Sequence, residues 1–285
     1  MAQGRDHDRQ AAPRLFDHAL LRARRQRAQR LGAATFLADR AADDLVERLD
    51  AVLRKFSAVA DIGSPGGILT NRLGARFGAV TTVDLTAGGE ERLDLAPQSL
   101  DLAASVLALQ FVNDLPGVLV QIRRALRPDG LFLAALVGGD TLTELRQAFA
   151  AAEVEIEGGL SPRVAPFADL RDLGALLQRA GFALPVTDVD RLVVRYDHAL
   201  ALMQDLRRMG ATNVLVERRR KPLRRATLRR VAGIYAERFA DPDGRIRATF
   251  DVVWLSGWAP HESQQQPLKP GSAKASLAEA LKPRK

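Results

Sequence analysis

The sequence contains no cysteine. That excludes disulfides, thiolate metal sites and a cysteine nucleophile. Aromatic residues make up 5% of the chain and there are four histidines. Neither a row of base-stacking rings nor a histidine-rich metal centre is written into such a composition. Apolar runs are short: "LFLAALVGG" falls far below the roughly 20 residues that span a bilayer, so no transmembrane helix is expected. The opening residues, "MAQGRDHDRQAAPRLF", are charged and lack the apolar stretch of a secretory signal. What the chain has in excess is arginine. Its net charge of +8 is concentrated in two runs, "LLRARRQRAQR" (20–30) and "ERRRKPLRRATLRR" (217–230). Such runs can meet nucleic acid or acidic head groups. No aromatic residue interleaves with them, which favours solvated helix faces over a nucleic-acid site.

The 285 residues, 47% of them hydrophobic, can bury a sizeable core. Residues 1–13 read as disordered and 14–31 as a basic amphipathic helix. Over 36–56 the spacing of Leu45, Leu49, Val52, Leu53 and Phe56 predicts one apolar helical face. The pattern then switches to alternating elements. Short apolar strands are expected at 57–63, 79–85, 99–109 and 131–138. Helices are expected in "GGILTNRLGARFG", with Gly78 just past its end, and in "DLPGVLVQIRRALRPDG", stopped by Pro128 and Gly130. Apolar strands alternating with helices indicate a parallel sheet covered on both faces. After 138 come two helices, the second closed by Gly181, a strand "RLVVRY" (191–196), helices near 198–209 and 224–240, and a β-rich run at 247–258 suited to pair antiparallel with 191–196. The polar tail is expected to be extended or disordered. The organisation read from this is a helical segment 1–56, a core 57–138, a cap with closing strands 139–260 and a tail 261–285.

"DIGSPGGILT" (61–70) has the form of a strand–loop–helix at the edge of such a sheet. Glycines there let the backbone approach a ligand, and a helix N-terminus favours polar groups. Asp61, Gly63 and Gly67 fit that role. Asp84 ends the next strand, where an acid can accept both hydroxyls of a ribose. A plain βα turn with a solvated acid remains the alternative for these residues alone. Asp140, just past the fourth core strand, could hold a guanidinium in a bidentate pair, act as a base, or cap the next helix. Asn113 and Asp114 read as the cap of the helix that follows them. His261 lacks obvious partners for a metal, His7, His18 and His198 read as surface residues, and Trp254 and Trp258 read as core.

The run from "VADIGSPGG" through "VTTVDL" to "SLDLAASVLALQFVNDLPGVLVQIRRALRPDGLFLAALVGGDTL" resembles the core of class I S-adenosylmethionine-dependent methyltransferases. "LQFVNDLP", "GGDTLTEL", "EGGLSPRVAPFADLRDLGALLQRAGF", "MGATN" and "GWAPHESQQQPLKPGSA" are similar to a subfamily of respiratory complex I assembly factors described as protein arginine hydroxylases. The resemblance covers nearly the whole chain, including the basic N-terminal helix. The core alone also resembles the malonyl-carrier-protein methyltransferases of biotin synthesis.

This resemblance implies a Rossmann-like α/β fold with an antiparallel last strand and helical cap insertions. It implies S-adenosyl-L-methionine as cofactor, held by Asp61, Gly63, Gly67 and Asp84, with Glu91 near the adenine and Asp140 facing the substrate as the catalytic candidate. The implied partner is a hydrogenase-like complex I subunit carrying the target arginine, with no specific nucleic acid. The implied location is cytoplasmic, at the inner face of the membrane with peripheral contact. Three departures stand out. Pro65 replaces a loop glycine and removes one amide donor. Residues 85–98 are too few for the usual helix plus strand, and leave Glu90 and Glu91 near the adenine position. Gln110 stands where relatives often carry histidine. No facial triad of two histidines and a carboxylate is visible. Two other functions stay open: methyl transfer to a protein or carrier-protein carboxylate, and a non-catalytic assembly chaperone on a degenerate fold.

Overall fold

The computed structural model describes residues 14–87 and 91–265. The readings made for residues 1–13, for Glu90 and for the tail from 266 onward lie outside the described residues. Two helices come first, α1 (His18–Arg30) and α2 (Phe36–Asp50). The core follows as β1 (Val59–Ile62), α3 (Ile68–Phe77), β2 (Val80–Val83), β3 (Leu100–Val106), α4 (Leu115–Ala125) and β4 (Leu126–Gly138). The remainder is α5 (Thr143–Glu157), α6 (Leu170–Arg179), β5 (Ala183–Tyr196), α7 (Ala199–Arg208), α8 (Arg225–Phe239) and β6 (Ile246–Trp258).

The six strands form one sheet in the order β2-β1-β3-β4-β6-β5. β1 to β4 run parallel, and β6 lies antiparallel between β4 and β5. Side chains alternate across the pleat, so each strand feeds two cores. Leu102, Leu133 and Phe250 join α2, α3, α5, α7 and α8 on one face. Ala103, Phe132 and Leu255 join α4 and α6 on the other. Burial on both faces is why these strands read as continuous apolar runs. β2 is the sheet edge, and its Thr81 and Thr82 are exposed. No helix or strand occurs among the described residues of 84–98, in keeping with the shortness of that segment.

Several expected boundaries move. α2 ends at Asp50, not near 56. Leu53 is 99% exposed, so it is not part of the apolar face, and Phe56 enters the core from the connecting loop. The amides of Ser57 and Ala58 are taken by Asp101 Oδ2 at 2.9 and 2.8 Å. The chain uncoils ahead of them to reach that anchor. α4 ends at Ala125, before Pro128, because a proline disfavours helix in the residue preceding it. β5 is 14 residues long, not six. Pro185 and the alternating polar residues hide its first half, which pairs with β6 past a register shift between Ala183 and Val186. His18 is not a surface residue. Its side chain is 10% exposed and its Nε2 lies 2.9 Å from the Phe111 carbonyl. Trp254 is buried, with Nε1 donating to Asp190 Oδ2 at 2.9 Å.

Candidate cofactor and substrate cleft

Chain order reverses between β1 and β3, so their connections leave in opposite directions and open a crevice at the strands' C-terminal ends. A cleft of about 900 Å³ lies there, a size typical of sites for small organic ligands. Asp61, Gly63, Gly67, Asp84 and Gln110 all line it, and α1 and the end of α7 wall it.

Asp61 is 2% exposed. Its Oδ2 accepts from Thr70 Oγ1 at 2.6 Å and its Oδ1 from the Ser64 amide at 3.3 Å. It therefore pins the loop to the start of α3. Ser64 Oγ accepts from the Val106 amide at 2.9 Å and ties the same loop to β3. Gly63 has φ +75°, and a Cβ there would lie 2.7 Å from Leu85 Cδ1. Glycine is required on both counts. Gly66 and Gly67 also have positive φ, but a Cβ on either would meet nothing within 4 Å. They leave open space facing the cleft. Pro65 begins a 3₁₀ turn, Pro65–Gly67, that runs into α3. A first-turn residue needs no amide for its helix, so proline fits without distorting the loop. No side chain caps the N-terminus of α3, so its first amides are left for solvent or a ligand.

Asp84 follows β2 directly. Its Oδ1 accepts from the amide and the hydroxyl of Thr86, at 2.8 and 2.6 Å. Its Oδ2 has no protein partner among the described residues. Burial opposes ionisation of this carboxyl, but the two Thr86 bonds and the nearby Arg25 and Arg22 guanidinium groups outweigh it, and its pKa falls below the ordinary 3.8. Gln110 donates through Nε2 to the Leu107 carbonyl at 2.9 Å. Its Oε1 is buried without a partner. In the sequence Gln110 stands out only as a missing histidine; its role as an acceptor at the cleft appears once its Oε1 is seen to lack a partner.

The other two candidates lie elsewhere. Glu91 does not line the cleft. Its carboxylate accepts from the amides of Asn113 and Asp114, each at 2.5 Å, and lies 3.2 Å from His18 Nε2. Glu91 thus satisfies two amides just past β3, at the turn into α4. Asn113, in turn, accepts from the amides of Leu15 and Phe16, and Asp114 alone caps α4. Asp140 also stays outside. Its carboxylate is 65% exposed and pairs with Arg191 at 2.7 Å. Arg191 grips Asp251 as well, at 2.8 and 2.9 Å. Nor does the Asp140 side chain cap α5, whose N-cap is Leu142 in left-handed geometry. His261 is exposed and contacts Ser263 Oγ at 2.6 Å. Among the described residues no group of three His, Cys, Asp or Glu could hold a metal.

Arginines are the cleft feature that the sequence left unplaced. Arg22, Arg24 and Arg25 of α1 line it together with Arg207 at the end of α7, while Asp61 and Asp84 are the only carboxylates among the described lining residues. Arg163 and Arg219 line it too, but both are tied to Glu153, and Arg219 also to Glu157.

A family model described as "Methyltransferase domain" matches residues 33–185. Arginine-hydroxylase NDUFAF5 of Homo sapiens is 36% identical over 287 residues, covering 93% of this chain and 83% of that protein. The protein of the same name from Dictyostelium discoideum is 43% identical over 192 residues, covering 67% of this chain but 44% of its own length. This chain thus spans less than half of that relative. Malonyl-[acyl-carrier protein] O-methyltransferase of Laribacter hongkongensis is 41% identical, covering 79% of this chain and 71% of that protein. Among solved structures, a Bacillus halodurans protein described as a methyltransferase superposes with a TM-score of 0.51 at 14% identity, covering 77% of this chain and 99% of that one. That likeness concerns the fold. With a methyltransferase model over more than half its length and the human relative matched along most of both chains, this chain belongs to the class I methyltransferase superfamily, within the NDUFAF5 family.

Proposed function

We propose that this protein binds S-adenosylmethionine, the cofactor of its superfamily, and modifies an arginine of a respiratory complex I subunit during assembly. The observation that carries the cofactor part is a single cleft collecting a glycine turn with open space, the uncapped start of α3, a free oxygen of Asp84 and the orphaned Oε1 of Gln110. These groups fit the ligand's chemistry. Asp84 would accept the ribose hydroxyls, the turn at 63–67 would face the amino-acid end, and Gln110 Oε1 would accept from an N–H of the cofactor or substrate. When bound, the cofactor supplies an electrophilic methyl group beside a sulfonium. The chain's own contribution is placement: Asp61 and Ser64 hold the loop rigid, and the apolar wall of Leu142, Leu145 and Phe149 excludes water. The arginine and complex I parts rest on the name and extent of the human relative. A location at the inner face of the membrane belongs to the same proposal. No helix among the described residues is long and apolar enough to cross a membrane.

A second reading, methyl transfer to a protein-borne carboxylate, draws support from the arginines of the cleft, which suit an anion better than a guanidinium. Peptide mass mapping of complex I subunits, from cells carrying the wild-type protein or Asp84→Ala, separates the two. The first reading expects one arginine to lose an added oxygen or methyl group in the variant. A lost methyl ester on a carboxylate would replace it with the second. Unchanged subunits would reject the first.

A further inference from the structure

α1 has five arginines in 13 residues, no acid, and no salt bridge from any of the five among the described residues. Arg22 and Arg24 reach only carbonyls, of Thr86 and Asn213. Arg25, half-buried over the Phe111 ring, has no hydrogen-bond partner among the described residues. Arg27 and Arg30 sit in the last turn, where the helix dipole favours a cation. Arg22, Arg24 and Arg25 lie too far from that end to gain from it. Burial pulls the Arg24 and Arg25 guanidinium groups below their ordinary pKa, the sign of cations that have lost water without gaining a full counter-charge. Unpaired cations gathered on one wall of a cleft are complementary to an anion arriving from outside.

We propose that α1, with Arg207, is the docking ridge for an acidic segment of the protein substrate, lying beside the residue that enters the cleft. This rests on the reading that the substrate is a protein. The exposed face of α1 carries Arg22, Gln26, Arg27, Gln29 and Arg30, and only Leu15 and Leu31 stand exposed at its two ends, less apolar surface than a helix that lies in a lipid interface presents. It offers no aromatic ring for base stacking.

The test is fluorescence anisotropy on the full chain. One labelled peptide carries an arginine flanked by aspartates, and its twin carries asparagines. The aspartate peptide should bind at least about tenfold more tightly at low salt, with the gap closing as salt screens it. Arg27→Gln/Arg30→Gln removes two exposed charges outside the cleft lining and should weaken the aspartate peptide by roughly three- to tenfold. Arg225→Gln/Arg229→Gln removes two exposed charges from α8 and should leave binding unchanged. Equal binding of the twins, an equal loss in the α8 variant, or tighter binding of anionic vesicles or duplex DNA than of the aspartate peptide would overturn the proposal. Mass analysis of the same peptide's arginine reports the reaction separately, so docking and modification can fail independently.

Discussion

In the run at 217–230, Arg218 reaches Asp17 at 3.3 Å, Arg219 and Arg224 reach Glu157 at 2.9 and 3.5 Å, and Arg230 bridges Glu155 and Glu237. In α1, at 18–30, no arginine reaches a carboxylate among the described residues. The two stretches are similar in composition, and their neighbours separate them. α5 ends in "EVEIEG", which places Glu153 and Glu157 under the second run. α1 instead faces Thr86, Phe111 and Asn213. Half of the second run's cations are consumed inside the fold as a strap, while Arg220, Lys221, Arg225 and Arg229 reach no carboxylate among the described residues. What sets α1 apart is that its unpaired Arg22, Arg24 and Arg25 line the cleft. An arginine count alone therefore says little about a partner. Arginines that lack counter-charges and also line the cleft are the informative ones.

The largest effect that would break this contrast concerns Glu153. Its side chain is 1% exposed and it holds Ser161 and Arg163. Glu153→Ala strands a mostly buried guanidinium and should cost about 3–5 kcal/mol in urea unfolding. A loss under about 1 kcal/mol would mean that the buried pairing of Glu153 with Arg163 contributes little.

Acid should reveal the same network. Burial opposes ionisation of Glu153, but the Ser161 and Arg163 bonds outweigh it, and its pKa lies below the ordinary 4.5. Glu157 is held below 4.5 by Thr227 and Arg219. A carboxyl depressed in the folded state stabilises fully above its unfolded pKa and loses that contribution as pH falls through the folded value. Thermal midpoints should therefore hold from pH 7 to about 5 and drop below about 4.5. Glu153→Gln should flatten that drop.

The smallest effect has the opposite sign. Arg25 is half-buried without an ion pair among the described residues, so Arg25→Gln should be neutral or stabilising by up to about 1 kcal/mol. A loss comparable to Glu153→Ala would erase the distinction between the two runs.

The parallel core was legible because each strand is apolar on both faces and each helix is punctuated by glycine or proline. Gly78 and Gly181, both at positive φ, mark two of those helix ends. The loop at 61–67 and Asp84 were legible because they follow strands whose edge position follows from the alternation. Glu91 and Asp140 misled for a shared reason. Each lies within a few residues of the cleft lining in sequence, but its direction is set by a partner distant in sequence. For Glu91 these are the amides of Asn113 and Asp114. For Asp140 it is Arg191, on a strand whose full length was hidden by Pro185. Gln110 escaped notice because an unpartnered oxygen is a property of packing and leaves no trace in spacing.

Calorimetric titration of S-adenosylmethionine into the wild-type protein and into Asp84→Ala tests the cofactor site most directly. Losing the one carboxylate oxygen that is free among the described lining residues should cost roughly 1.5–3 kcal/mol, or more than tenfold in affinity. Saturable binding to the wild type that weakens by that factor in a folded variant is the expected result. Equal affinities, or no heat from a folded wild-type protein, would contradict it.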